Sequence, residues 1–168
     1  KAYQVNDSIS TFVGKRISVK QSDKKIKALS LVLVSGREDE IAMAIKELRK
    51  DEPFEGAIAL LAEFYDGCSE KGLLRIIEDF FNDLRDQSLR PEVIAEIRKP
   101  WKPSTISMLV ASCWQSGMDY SGYLPDMTRT FLKSDYATSI ECMTVIESSV
   151  ENCSRAVKDE LIAMIMES

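Results

Sequence analysis

The chain has 168 residues, of which 45% are hydrophobic and 29% charged, and its formal net charge is −5. This length is enough for one compact domain with a sizeable core. Histidine is absent, which excludes a Ser-His-Asp or Cys-His catalytic site and a Glu-x-x-His di-iron site within the chain. We therefore expect a protein that is not an enzyme, with no catalytic residues, no metal and no cofactor.

The four cysteines lie far apart at irregular spacing, at positions Cys68, Cys113, Cys142 and Cys153. No C-x-x-C pair occurs, so the sequence contains no zinc or redox motif. Cys113 and Cys142 fall in apolar helical runs and are expected to be small buried hydrophobes. Free thiols favour a reducing, cytoplasmic location. No apolar run approaches the ~20 residues that cross a bilayer, so we predict no membrane partner.

The charge is unevenly distributed along the chain. Residues 1–27 contain seven Lys or Arg and two Asp, a net charge of +5, so the remaining residues carry −10. We predict that residues 1–22 form a basic N-terminal arm or an extra helix, and that residues 23–168 form a single domain. A basic arm can bind anionic surfaces or nucleic acid, but it can equally be a solvated start to the first helix.

Apolar residues recur at helical spacing from residue 23 onward. The first predicted helix runs from about Asp23 to Ser35 and ends at Gly36, a residue that suits a left-handed stop. Eight further helices are predicted from apolar stripes and caps. They are a stripe over Ile41–Leu48; a helix from a cap at Asp51 to Gly67, with Pro53 in its first turn and apolar residues from Ala57; a helix after a cap at Ser69 with apolar residues over Leu73–Leu84; Pro91–Arg98; Ser104–Ser116; a helix that starts between Asp119 and Ser121 and carries the stripe Leu124–Phe131; a helix from a cap at Asp135 to Ser148; and a helix after a cap at Ser154 with apolar residues over Val157–Ile165.

These helices group into four similar pairs if the glycines that end helices are aligned. Gly36 and Gly67 lie 31 residues apart, as do Gly117 and Ser148. Gly67 and Gly117 lie 50 apart, which we interpret as one repeat plus about 19 inserted residues around 85–103. Repeated helix pairs are typical of stacked helical solenoids.

The stretch RKPWKPSTISMLVASCWQSGMDYSGYLPDMTRTFLKSDYATSIECMTVIES most resembles a HEAT unit, and the chain over about residues 23–168 resembles a HEAT or armadillo-like solenoid. It is also similar to short bacterial HEAT-like proteins, a family that implies no particular activity. Tetratricopeptide repeats have a similar period, but their small-residue and proline pattern does not occur here. The resemblance implies an all-α, right-handed α-α superhelix of about four helix pairs.

The same resemblance implies which helices line the concave side. They are the helices that begin near Glu38, Ser69, Ser121 and Ser154, and they would present Arg75, Asp79 and Arg129 together with Asp83 and Lys133. A second set of candidates is the aromatic cluster between residues 101 and 136, because Trp and Tyr are favoured interface anchors. The best candidates for a contact surface in this cluster are Trp114, Tyr120 and Tyr123. The alternative is that Trp114 packs in the core and that the tyrosines pack at contacts between repeats.

The favoured hypothesis is a non-enzymatic scaffold that binds a protein or peptide. One alternative is a nucleic-acid-binding or DNA-glycosylase-type HEAT-like protein; the net −10 after residue 27 disfavours it unless Arg75, Arg129 and Lys133 converge with the basic arm. Another is a fragment of a larger solenoid. The apolar residues of the last helix, among them Leu161, Ile162 and Ile165, suggest either a missing neighbour or a homodimer contact.

Overall fold

The computed structural model describes residues 23–50 and 54–168, and no strand occurs in these two ranges. The all-α fold class is therefore confirmed for the described part of the chain. The arm and the predicted cap Asp51 lie outside it. The helices are α1 (residues 23–35), α2 (Glu38–Lys50), α3 (Ala57–Gly67), α4 (Lys71–Asn82), α5 (Arg90–Ile97), α6 (Pro103–Gln115), α7 (Leu124–Phe131), α8 (Tyr136–Ser149) and α9 (Arg155–Met166).

Most helix ends follow from local sequence. Gly36 and Gly117 have φ of 70° and 69°, the left-handed conformation expected after α1 and α6. Asp135 accepts a hydrogen bond from the Thr138 backbone N–H at 2.9 Å, so the predicted cap of α8 is confirmed. The cap of α9 is confirmed in the same way, because Ser154 accepts from the N–H of Val157. The predicted cap of α4 is wrong by one residue.

Glu70, not Ser69, caps α4, because its carboxylate accepts from the Gly72 N–H at 3.4 Å. A glutamate reaches back to the first turn as a serine would, and its charge is favourable at a helix N-terminus. Helix α3 begins at Ala57, directly after Gly56 with φ of 88°, so its predicted start after Asp51 is wrong. Helix α7 begins at Leu124, after a 3₁₀ turn over Ser121–Tyr123, so its predicted start between Asp119 and Ser121 is a few residues too early.

Successive helices alternate between two layers. One layer, here called the even layer, consists of α2, α4, α6 and α8, which pack side by side in that order. The other, the odd layer, consists of α1, α3, α5, α7 and α9. Within it α3 packs on α5 and α7 on α9. Leu33 of α1 lines a cavity with Leu60 of α3, and Arg98 at the end of α5 bonds to Asp126 of α7.

The core lies between the two layers, where their buried stripes meet. Leu61 and Ile94 of the odd layer and Ile77, Phe81 and Leu109 of the even layer have almost no exposed surface. Contacts of α3 with α6, of α5 with α6 and of α7 with α8 join the layers. Each helix therefore turns one face inward and leaves the other for an outer surface.

Helix α5 packs against helices of both layers, so residues 85–103 are not an insertion outside the packed helices. It has only eight residues and does not end at a glycine of the 31-residue spacing. It nevertheless buries Val93, Ile94 and Ile97 and packs against α3 and α6. The 31-residue spacing between Gly36 and Gly67 contains two helices, whereas the 50 residues from Gly67 to Gly117 contain three. The glycine alignment consequently matched α6 with α1 and α3, which belong to the other layer.

This shift changes the surface predicted to be concave. Helices α2 and α4 lie in the even layer, but α7 and α9 lie in the odd layer. Arg75 and Asp79 on α4 are thus separated from Arg129 on α7. The physical reason is that successive helices alternate between the layers. The short helix α5 takes one place in this order, so every helix after it lies in the layer opposite to the one predicted.

Candidate functional site: a groove on the even layer

A groove of about 480 Å³ runs over the outer side of α6. The α6 residues of its floor fall on one face of the helix. Most are small or uncharged polar side chains (Ser104, Ser107, Ala111 and Gln115), and Met108 lies among them. The opposite face of α6 carries Leu109 and other buried residues. The apolar face of α6 therefore packs into the core, and the small residues on its outer face leave the space of the groove.

The two neighbouring helices of the even layer form the walls. Helix α4 contributes Glu78 and Asn82, and the start of α8 contributes Asp135 and Thr138. At one end Tyr65 of α3 donates a hydrogen bond from its hydroxyl to Glu78 Oε1 at 2.7 Å. Burial, followed by this bond and the charge of Glu78, raises the pKa of Tyr65, so the phenol remains a proton donor at neutral pH.

Trp114 lies on the same face of α6 as Ala111, one turn farther along the helix. Its side chain is 40% exposed, and its indole Nε1–H donates to Glu141 Oε2 on α8 at 2.8 Å. The bond fixes the orientation of the indole while its ring stays accessible. A half-exposed, oriented Trp beside a groove has the properties of an interface anchor.

The groove is acidic. Two carboxylates, Glu78 and Asp135, are among the residues that line it, and no Lys or Arg is. The backbone and side-chain hydrogen bonds of Thr138 lower the pKa of Asp135 below its ordinary value, so its charge persists to acid pH. A ligand with a cationic or hydrogen-bond-donating group fits these walls.

The structure places three of the predicted binding residues on this side of the molecule. Trp114 flanks the groove, and Arg75 and Asp79 are exposed on the outer side of α4, beside the wall residue Glu78. None of the atoms of Arg75 or Asp79 lines the groove itself. They are placed to contact a ligand that extends beyond α4.

Tyr120 is buried, and its prediction as a contact residue is wrong. Only 1% of its surface is exposed, since the side chain is packed in the core near Cys113. Burial raises the pKa of Tyr120, and its hydroxyl makes no hydrogen bond of acceptable geometry with a described residue. Tyr123 is half-buried, with its ring centroid 6.2 Å from that of Tyr120. The sequence could not distinguish them because both follow the same Gly-terminated helix.

Arg129 lies on α7 in the odd layer and bonds to Asp126 Oδ1 at 3.0 Å. It does not share a surface with Arg75. The predicted condition for nucleic-acid binding, convergence of Arg75 with Arg129 and Lys133, is therefore not met by the described residues. The predicted participation of the arm falls outside them.

The two apolar-run cysteines are buried, as predicted. Burial raises the pKa of Cys142 to about 12 and raises that of Cys113 further, so both stay as neutral thiols. Among the described residues no group of His, Cys, Asp or Glu is arranged to hold a metal ion. No described helix combines the length and apolarity needed to cross a membrane.

Sequence reasoning missed the groove floor. The signal was present in PSTISMLVASCWQ, where Ser104, Ser107 and Ala111 recur at helical spacing opposite the apolar stripe. Small residues on an exposed face look like ordinary surface in a single helix. Only the flanking helices α4 and α8 turn that face into a groove.

Comparisons with models of protein families, with curated proteins and with solved structures found no match to this chain. The resemblance to HEAT-like repeats therefore stays a prediction.

Proposed function

We propose that this chain is a non-enzymatic scaffold that binds a segment of a partner protein in the groove over α6. The observation that carries the proposal is the combination of a small-residue floor with an oriented, half-exposed Trp114 at its edge. Large aromatic anchors beside a shaped depression are the usual centre of a protein interface. The absence of His from the sequence and the lack of a catalytic motif agree with a binding role.

The partner segment is expected to be basic. The groove is lined by Glu78 and Asp135 without a compensating cation, and Asp79 adds negative charge beyond the α4 wall. Charge complementarity of this kind raises association rates and selects partners. The floor residues Ser107 and Ala111 leave space for an extended segment or for one face of a helix.

The alternating layers support a stacked architecture of the HEAT-like type. We infer a right-handed α-α superhelix in which the helices pair in order from α1, with α9 beginning a fifth pair. In this arrangement the groove belongs to the outer surface of the even layer.

The test is affinity capture with the chain as bait, in the presence of nuclease, using wild type and two matched variants. Ala111→Arg fills the groove floor, whereas Ala95→Arg places the same side chain at an exposed position of α5 in the odd layer. A partner of the groove is captured by wild type and Ala95→Arg and is lost with Ala111→Arg. A partner retained equally by both variants, or one released by nuclease, contradicts the proposal.

A second candidate function, assembly through the end of the stack, is favoured by apolar exposure on α9. Ile162 and Met166 are 56% and 82% exposed, and Ile165 is also exposed, while Leu161 is buried. The final helices of solenoids normally carry a polar outer face. We propose that this end contacts another helix, supplied by a second copy or by a larger solenoid.

Light scattering over a range of concentrations tests the contact between copies. A mass that rises with concentration in wild type and returns to that of the monomer with Ile162→Glu supports a homodimer. A monomer at the highest concentration contradicts it. The larger-solenoid alternative is then tested by mixing the chain with longer natural helical-repeat proteins and measuring the mass of any complex by light scattering.

A further inference from the structure

A second cavity, of about 510 Å³, lies on the odd layer between the end of α5 and α7. We call it the odd-layer cleft. Four cationic residues line it: Arg98 and Lys99 directly after α5, Arg129 on α7, and Lys133 in the turn that follows α7. The whole chain is acidic, so this concentration of positive charge on two neighbouring helices is a local exception.

Asp126 holds two of the four cations in place. Its Oδ1 and Oδ2 accept from Nε and Nη2 of Arg98, both at 2.9 Å, and Oδ1 also accepts from Nη1 of Arg129 at 3.0 Å. The Asp126 side chain is only 11% exposed, whereas the two arginine side chains remain more than half exposed. The carboxylate therefore orients both arginines from below while their remaining N–H groups stay available above.

The charge balance still favours an anion. Lys99 pairs with the buried Glu96 at 2.7 Å, so four cations face two carboxylates and leave a local charge of +2. Lys133 makes no ion pair within the described residues that line the cleft. The hydroxyl groups of Thr130 and Ser134 also belong to the lining.

We propose that the odd-layer cleft binds a phosphate monoester on a protein segment. A phosphate has three acceptor oxygens and close to two negative charges, which suit donors from three separate side chains better than a two-oxygen carboxylate does. The lining also contains the apolar residues Ile97, Pro100 and Ile106, which can contact side chains that flank the phosphorylated residue. The acidic body of the chain disfavours long polyanions such as nucleic acid.

This site and the groove on the even layer have no lining residue in common, although Ser134 of the cleft precedes Asp135 of the groove wall. A scaffold with both sites can hold a basic segment on one side and a phosphorylated segment on the other. Phosphorylation of the second segment would then control whether it is held.

The experiment is a titration of the ¹⁵N-labelled chain followed by backbone amide signals. The probes are a pentapeptide with a central phosphoserine flanked by leucines, its unphosphorylated twin, inorganic phosphate and a ten-residue oligothymidylate. We expect the phosphopeptide to shift signals in residues 97–100 and 126–134, with a dissociation constant at least tenfold lower than that of the twin. Inorganic phosphate should shift the same signals more weakly, because it lacks the flanking leucines.

The variants separate the site from general electrostatics. Arg129→Gln combined with Lys133→Gln should raise the dissociation constant at least tenfold, while Lys46→Gln removes one exposed cation of α2 in the even layer and should leave it within twofold. Lys133→Glu alone guards against a folding defect, because Lys133 has no ion pair to break there, and it should weaken binding as strongly. Binding that does not distinguish the phosphopeptide from its twin, that survives these variants, or that is tighter for the oligothymidylate overturns the proposal.

Discussion

The groove and the odd-layer cleft are similar in volume, but they are built by opposite means. In the groove, small residues on α6 leave space between two flanking helices, and its charged groups, Glu78 and Asp135, bond to neighbouring Tyr and backbone groups. In the cleft, long cationic side chains surround the space, and Asp126 holds two of them. The first surface is defined by shape and the second by charge.

This difference teaches how one stack can present two kinds of recognition. Binding at the shape-defined groove depends on the positions of helix backbones as well as on two carboxylates, so we expect it to be less sensitive to salt than binding at the cleft. A charge-defined site depends on side-chain ion pairs and is screened at high ionic strength. Both sites lie on helices that share one buried core. A change in the core should therefore alter both sites, whereas a change in a surface ion pair should alter only the site that contains it.

The largest effect is expected from Leu109→Ala, which removes a fully buried side chain of α6 beneath the groove. Loss of buried contacts together with the cavity that remains should lower the free energy of unfolding by about 3 kcal/mol. The measurement is denaturant unfolding followed by circular dichroism. Leu31→Ala is the matched control, because Leu31 is mostly exposed on α1 and its loss should cost less than about 0.5 kcal/mol.

If both surfaces share one core, Leu109→Ala should also shift amide signals from the groove and from the cleft. Shifts confined to one of them would show that the layers are less tightly coupled than their packing indicates.

A smaller effect, confined to the cleft, is expected from Asp126→Asn. The amide keeps one acceptor but turns an NH₂ group toward a guanidinium, so it loses charge-assisted bonds to Arg98 and Arg129. Because the arginines are exposed and can be solvated, we expect a loss of about 1–2 kcal/mol. Asp159→Asn, at an exposed position of α9, should change the free energy of unfolding by less than about 0.5 kcal/mol.

The same variant tests the separation of the two surfaces. Asp126→Asn should alter phosphopeptide binding in the cleft and leave capture of a groove partner unchanged. Equal loss of both would contradict the independence of the sites.

The smallest expected effect concerns Asp66, which joins the layers at the start of the groove. Its Oδ1 accepts from the backbone N–H of Lys102 and from the hydroxyl of Thr105, both at 2.8 Å. Partial burial raises the pKa of Asp66, but the hydrogen bonds from Lys102 and Thr105 and the charge of Lys102 together lower it below its ordinary value of 3.8. Asp66→Ala should cost about 1 kcal/mol at neutral pH.

The pH dependence follows from that lowered pKa. As the pH falls toward 3.8 the unfolded chain binds a proton at Asp66 before the folded chain does, so the stabilisation is present above the unfolded pKa and is lost as the pH falls through the folded value. The difference in unfolding free energy between wild type and Asp66→Ala should therefore be constant near neutral pH and shrink in acid. A difference that grows in acid would contradict this role.

Much of the secondary structure could be predicted because it is local. The stripes of α2, α6 and α9, the left-handed glycines Gly36 and Gly117 and the caps Asp135 and Ser154 depend on neighbours within about one helical turn. The cap of α4 was misplaced because Ser69 and Glu70 are adjacent acceptors, and the choice between them depends on how the chain enters the helix.

Less of the candidate site could be predicted. Trp114 and Tyr120 are six residues apart in one aromatic cluster, yet Trp114 is 40% exposed and Tyr120 is in the core. Arg129 was expected beside Arg75, and the extra helix α5 puts it in the other layer. The groove floor was overlooked because Ser107 and Ala111 acquire their meaning from helices that are distant in sequence.

The sequence alone determined that the described chain folds as amphipathic helices, and it determined where most of them end, because helical periodicity, caps and glycine stops act over a few residues. Only the tertiary structure decided which helices share a layer and which side chains therefore meet. Tertiary packing decides which layer each helix joins. Helix α5 packs on α3 in the odd layer although it has only eight residues and a proline in its first turn. That single assignment separates the acidic groove of the even layer from the basic cleft of the odd layer.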